Sequence, residues 1–231
     1  MLGKNLIQAA SGAAGGAGPQ IGDFYEGGYF AGYISHTADG NATHGLIVAP
    51  ADSGYDLGYQ YKTSNTATSG TSSTYDGAAN TANMANTSHP AANYCANLTI
   101  NGYSDWYLPA LYELEIAYYN LKPSSSTNWG NDPTTNPYAV PARTSNYTAT
   151  DPAKTSVALF DGTTDPAGAE SFIAKQIFIY LLSFHWTSTS SSNSQATMID
   201  FRSGRRVYVD KNRGAGSTDY LYTRAFRKFA V

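Results

Sequence analysis

A chain of 231 residues with 42% apolar side chains is long enough to bury a real hydrophobic core, and its net charge of −3 excludes the dense positive charge that a nucleic-acid backbone demands. Only 13% of residues are charged, roughly half the usual share for a soluble domain, and Tyr, Ser, Thr, Asn, Gly and Ala fill the remainder. The single cysteine, Cys95, excludes an intrachain disulfide, a cysteine-based zinc cluster and a CxxC redox pair, and its place among apolar neighbours marks it as a small buried residue. No run of 18 apolar residues predicts a membrane span, and the first residues lack the continuous apolar stretch of a secretory signal. The expectation is a chain made in a host cytoplasm, with no nucleic-acid or membrane partner. Its 19 tyrosines and abundant small polar residues nevertheless resemble an exterior recognition surface, where Tyr gives large contact area at low entropic cost.

Residues 1–20 form their own unit. Leu2, Leu6 and Ile7 make a short apolar patch, followed by SGAAGGAGP, in which glycine and Pro19 disfavour a lone helix. Two readings stand side by side: a disordered tail, and an anchoring arm whose Leu2, Leu6 and Ile7 dock onto a partner protein. Residues 21–231 read as one domain, because no charged or low-complexity linker divides them.

That domain opens with IGDFYEGGYFAGYIS, a predicted β-hairpin turning at Glu26 to Gly28 with Phe24, Tyr29, Phe30, Tyr33 and Ile34 on its strands. HGLIVAP (44–50) is a buried strand closed by Pro50, and residues 51–88 predict long surface loops. AANTANMAN allows a short helix after Asp76 and Gly77. Pro90 starts a second helix whose Ala91, Tyr94, Cys95 and Leu98 share one face. After Pro109 an amphipathic helix carries Leu111, Leu114, Tyr118 and Leu121 at spacings of 3, 4 and 3, with Glu113, Glu115 and Asn120 expected as solvated side chains opposite. Glu113 and Glu115 point about 200° apart on a helix, so they do not form an acid/base pair.

Residues 123–170 are irregular and proline-rich, too long for a mere connector and so a place for binding. SFIAKQIFIYLLSFHW (171–186) reads equally as a helix leading into a strand or as a buried strand pair. ATMIDF, RRVYVD and YLYTRAFRKF alternate like antiparallel strands joined by turns at Ser203-Gly204 and Gly214-Ala215-Gly216, with Arg side chains on the solvent face. The fold class is α+β.

No catalytic constellation emerges. His36, His44, His89 and His185 are widely separated in the sequence, none with an i+4 partner or a neighbouring cysteine, and there is no GxSxG. The nearest approach to a calcium loop, residues 128–133, has Asp132 as its one acid, and Asx turns explain it equally well. Sugar binding without metal needs an exposed aromatic ring beside amides and acids. Trp129 and Tyr138, with Asn131 and Asp132, are the candidate ligand-binding residues, against the reading that Trp129 pins its own loop. No cofactor is expected.

The chain resembles the Lcl C-terminal-domain family of C-type-lectin-like modules, found in bacterial surface and phage structural proteins. The resemblance is carried by Ala91, Ala92, Cys95 and Leu98; Gly102, Asp105, Trp106, Leu108, Pro109, Glu113 and Leu114; Trp186, Thr187, Ser188 and Thr189; Phe201 and Gly204; and Arg224, Ala225, Phe226 and Arg227. Tyr107 departs from the family's usual Arg, which leaves the expected salt bridge without its cation, and His185 departs from the usual aromatic. The resemblance implies two helices flanking a small antiparallel sheet with long loops, and Trp106, Leu108, Trp186 and Phe226 as core. The opening segments also look like those of phage virion proteins. Together these imply a non-enzymatic virion surface protein, a capsid decoration or tail-fibre component, homo-oligomeric and anchored to other virion proteins by its N-terminal arm. The alternatives are an adhesin or receptor-binding module for cell-surface glycan and, more remotely, a formylglycine-generating-type enzyme, which a lone Cys95 fits poorly.

Overall fold

The computed structural model describes residues 18–155, 184–214 and 221–231. The arm with Leu2, Leu6 and Ile7, the far end of the long loop, most of the 171–186 segment and the Ala215-Gly216 turn lie outside the described residues.

In chain order the elements are β1 (Phe24–Tyr25), β2 (Gly28–Ile34), β3 (His44–Val48), a single turn α1 (Ala51–Gly54), β4 (Tyr55–Leu57), α2 (Gly77–Ala82), α3 (Pro90–Ala96), α4 (Leu111–Leu121), β5 (Ala139–Val140), β6 (Phe184–Ser190), β7 (Gln195–Asp200), β8 (Arg206–Asp210), β9 (Tyr222–Arg224) and β10 (Phe226–Ala230). The class is α+β, dominated by two sheets. The first runs β1-β2-β3-β10 with β5 added against β2; the second runs β4-β9-β6-β7-β8. Among the described strands all pairings are antiparallel except the contact of β6 with β9 at His185 and Tyr222.

The predicted hairpin forms with Glu26 and Gly27 at its turn, both at positive φ (47° and 88°), the two-residue geometry whose twist matches its strands. β3 is paired with a strand along each edge and is packed on both faces. Leu46 and Val48 enter one apolar cluster with α4, and Ile47 enters the other with Trp106, Leu108 and Trp186. This is why HGLIV is apolar almost throughout rather than alternating. Trp106, Leu108, Trp186 and Phe226 are all at most 2% exposed, as core residues should be.

Several expectations are overturned. Glu113 and Glu115 are buried, at 0% and 2% exposure, not solvated. α4 is covered on more than one side, by β2 on one flank and by the 123–155 loop and β7 on others, so a one-faced reading of its periodicity fails. Glu113 caps the helix start: its carboxylate accepts from the backbone N–H of Ala110 (2.7 Å) and of Gly77 (3.1 Å), and from the Tyr107 hydroxyl (2.8 Å). Tyr107 thus supplies a neutral donor in place of a cation. Burial nonetheless outweighs these donors and holds the Glu113 carboxyl up at about 7.

Of the arginines expected on a solvent face, Arg202, Arg205 and Arg213 are exposed, but Arg224 and Arg227 are not. YLYTRAFRKF divides at Ala225, whose N–H bonds to Gly54 and whose carbonyl accepts from Ala49, so that β9 joins one sheet and β10 the other. Arg224 is 1% exposed, with Nε donating to the Ala49 carbonyl at 2.6 Å. Arg227 is also buried. Its guanidinium holds Asp105 through two bonds (2.8 and 3.1 Å) and Glu26 Oε2 at 2.7 Å, and lies 4.0 Å from the centre of the Tyr103 ring. The hairpin turn, the DWYLP segment and β10 are thereby fastened together.

Candidate functional site

The long polar loop after α4 is held by buried polar anchors. Asn128 Oδ1 accepts from the Tyr118 hydroxyl (2.6 Å) and from Lys122 Nζ (2.5 Å), and Asn128 Nδ2 donates to the Thr148 and Pro152 carbonyls. With its oxygen committed to an ammonium, Asn128 is no calcium ligand. Further along, Glu115 accepts from Asn136 Nδ2 (2.6 Å), the Arg143 guanidinium and the Tyr147 hydroxyl, three donors from three points of the loop gathered on one buried carboxylate. Asn136 Oδ1 in turn accepts from the N–H groups of Tyr138 and Ala139, which fixes the approach to β5. A satisfied buried network of this kind gives a loop of irregular backbone one conformation.

What the anchored loop presents is aromatic. Tyr138 stacks on Tyr75 (centroids 4.4 Å, planes 16° apart) and tilts against Tyr112 at 5.4 Å, and the Arg206 guanidinium lies 5.4 Å from the Tyr112 ring. All three tyrosines are half-buried. Tyr75 continues to His36 (5.3 Å), which lies 4.4 Å from His44, so two histidines far apart in sequence are neighbours at the end of the β2-β3 hairpin. Burial pushes His36 down to about 4 and lowers His44 as well, with the Lys228 charge adding to both. Lys228 itself pairs with Asp76 at 2.8 Å.

Of the sequence candidates, Trp129 and Tyr138 occupy different surroundings. Trp129 is half-buried, its backbone N–H bonded to the Ser203 carbonyl (2.8 Å) and its ring 4.7 Å below the Arg205 guanidinium, so it partly pins its loop to the β7-β8 turn. Asn131 is exposed and Asp132 half-buried beside it. Tyr138 belongs instead to the tyrosine cluster. Tyr75, Tyr112 and Arg206 had no sequence signal as site residues, because their convergence on Tyr138 depends on three separate chain segments. His185 is fully buried against Phe201 and Tyr222, a strand core residue. Cys95 is buried, and burial pushes its thiol far up, away from a reactive thiolate. Among the described residues no group of three or more His, Cys, Asp or Glu is placed to hold a metal ion, and no helix is long and apolar enough to cross a membrane.

In comparisons with known proteins, the chain matches no family, and no curated protein matches it.

Proposed function

We propose that the chain is a non-enzymatic surface protein of a virion, a decoration or fibre component, whose residues 1–20 anchor it to other virion proteins while a C-type-lectin-like domain is displayed outward. The observation that carries the reading is the construction of the 123–155 loop. Buried Glu115, Lys122, Asn128 and Asn136 hold it rigidly, and its outer side carries tyrosine, tryptophan, amide and hydroxyl groups rather than an acid/base or nucleophilic set. Rigid scaffolds that present pre-ordered polar and aromatic loops bind without paying to order them. The lectin-like part of the proposal is supported by the convergence of the resemblance residues. Asp105 pairs with Arg227, Glu113 caps α4, and Trp106, Leu108, Trp186 and Phe226 pack as core.

Deleting residues 1–20 tests the anchoring: the truncated protein is expected to fold but to be lost from purified particles, and full incorporation without the arm refutes it. A second reading, a module that recognises cell-surface glycan, is favoured by the Tyr75–Tyr112–Tyr138 cluster. It is tested on a glycan array with the full chain, and a silent array leaves a purely structural role on the particle.

A further inference from the structure

On the other side of the same loop lies a cleft of about 140 Å³, lined by Tyr33, Ile116, Tyr119, Asn120, the run from Ala139 to Ala142, and Arg143. Its construction can be followed from the sequence. Ile116, Tyr119 and Asn120 share one face of α4 at i, i+3 and i+4. Gly32 lets β2 come unusually near that face: at φ +132°, a Cβ there would lie 2.6 Å from Asn120 Nδ2 and 3.1 Å from Ile116 Cγ2. Asn120 Nδ2 bonds instead to the Ala31 carbonyl at 2.8 Å, which fixes the amide at the cleft. β5 pairs with β2 at Tyr33 and Ile34 and supplies the facing wall. Arg143 closes one end, its guanidinium 4.1 Å from the Tyr119 ring centre and paired with Glu115.

The chemistry of this lining selects its occupant. Two tyrosines with Ile116, Val140 and Pro141 offer an apolar wall, while Asn120 and Arg143 offer hydrogen bonds along the same cleft. Among the described residues Arg143 Nε is buried and has no hydrogen-bond partner, whereas the guanidinium's charge is already met by Glu115. A buried N–H without an acceptor is destabilising until a hydroxyl or water meets it. An anion gains little where the cation is neutralised, and an acyl chain is too long for the volume. A single uncharged pyranose, apolar on one face and edged with hydroxyls, matches both wall and donors. We propose that the Tyr33–Tyr119–Arg143 cleft is a metal-independent binding site for one neutral pyranose unit of a glycan. This rests on the glycan-recognition reading above and assigns it a place distinct from Trp129 and from the tyrosine cluster.

The test uses the full chain and the methyl glycosides of glucose, galactose, mannose and N-acetylglucosamine, with chelator present. Binding is followed by NMR of ring-labelled tyrosine and by titration. At least one glycoside is expected to bind with a dissociation constant of about 1 mM, in keeping with so small a ligand. Its addition is expected to shift Tyr33 and Tyr119 but not Tyr75, Tyr112 or Tyr138. Ala142→Trp, which sets a large ring at the exposed rim of the cleft without removing any hydrogen-bond partner, is expected to weaken binding by about tenfold or more, while Tyr208→Ser, at an exposed strand position outside the cleft lining, leaves it unchanged. The wild-type tyrosine shifts decide the matter even if Ala142→Trp fails to fold. Shifts confined to the Tyr75–Tyr112–Tyr138 cluster, or undiminished binding by a folded Ala142→Trp, overturn the cleft and leave the glycan reading standing. No binding of any of the four overturns the cleft as well, and a glycan array on the same protein then separates the two claims: signal there preserves glycan recognition elsewhere on the domain, and silence removes both.

Discussion

Replacing Arg227 by Met keeps most of the aliphatic packing and removes the guanidinium, which makes it a clean probe of the ionic fastening between the hairpin turn, the DWYLP segment and β10. Arg227 is buried, its side chain 8% exposed, while Glu26 and Asp105 are 29% and 55% exposed. Breaking a wholly buried pair costs about 3–5 kcal/mol, because the surviving charge is stranded. Here the surviving carboxylates regain water, so the Asp105 bond is worth no more than the roughly 0.2–1 kcal/mol of a surface pair. The part-buried Glu26 contact adds about 1 kcal/mol, and the Tyr103 stack about 0.5–1 kcal/mol. The expected loss is about 2–3 kcal/mol, read from urea unfolding at constant m-value. A double-mutant cycle of Arg227→Met with Asp105→Asn should return a coupling of about 0.5–1 kcal/mol that shrinks in 1 M salt. A loss for Arg227→Met under about 0.5 kcal/mol would show that the network is an ornament of the surface and refute the reasoning.

The burial of Glu113 makes two substitutions diverge. Glu113→Gln can keep its carbonyl on the Ala110 and Gly77 N–H groups and turn its amide to the Tyr107 oxygen, so a change within about 1 kcal/mol is expected, whereas Glu113→Ala orphans those donors and should cost about 3–5 kcal/mol. Equal losses for the two would contradict the capping role. The pH profile follows from signs. Glu113, held at about 7 when folded, binds more protons in the native than in the unfolded state from about pH 4.5 upward, so its contribution to stability falls as pH rises to 7. His36 and His89, each pushed down to about 4 chiefly by burial, act in the opposite sense and remove stability as pH falls from about 6.5. With two histidines opposing one carboxyl, a melting temperature that rises with pH from about 4 and levels off near about pH 7 is expected, and the rise should be steeper in Glu113→Gln; a maximum below pH 5 would contradict the histidine assignment. Gly32→Ala and Gly40→Ala compare strain with crowding. Both glycines have positive φ, but a Cβ at Gly40 meets nothing within 4 Å among the described residues, so it should cost about 1 kcal/mol and Gly32→Ala about 2–4 kcal/mol by thermal or urea unfolding.

Much of the local structure was legible because it follows from short-range rules. The Glu26-Gly27 turn, the short helix after the Asp76 cap, Pro90 opening α3 with Cys95 inward, and the Ser203-Gly204 turn all rest on residues adjacent in the chain. The single-turn α1 and β4 went unread, since β4 exists only by pairing with β9, far along the sequence. The same limit applied to the site. Tyr138 stood out as an aromatic in a proline-rich loop, but neither Tyr75 and Tyr112 beside it nor the Tyr33–Tyr119–Arg143 cleft has a signature within any one segment.

The sequence by itself determined the class and the position of most elements, because apolar periodicity, turn chemistry and caps are properties of neighbours, whereas the central core residues were implied by the resemblance and not by periodicity. What only the tertiary structure decided was the fate of the charges. Periodicity assigned Glu113, Glu115, Arg224 and Arg227 to solvent, since a charged side chain on an amphipathic element goes there by default. All four are buried, because each meets donors or acceptors brought from a distant part of the chain: Gly77 and Tyr107, Asn136 and Tyr147, Ala49, Asp105 and Glu26. A buried charge is tolerable only with such partners, and partners of that kind exist only once the fold has assembled them.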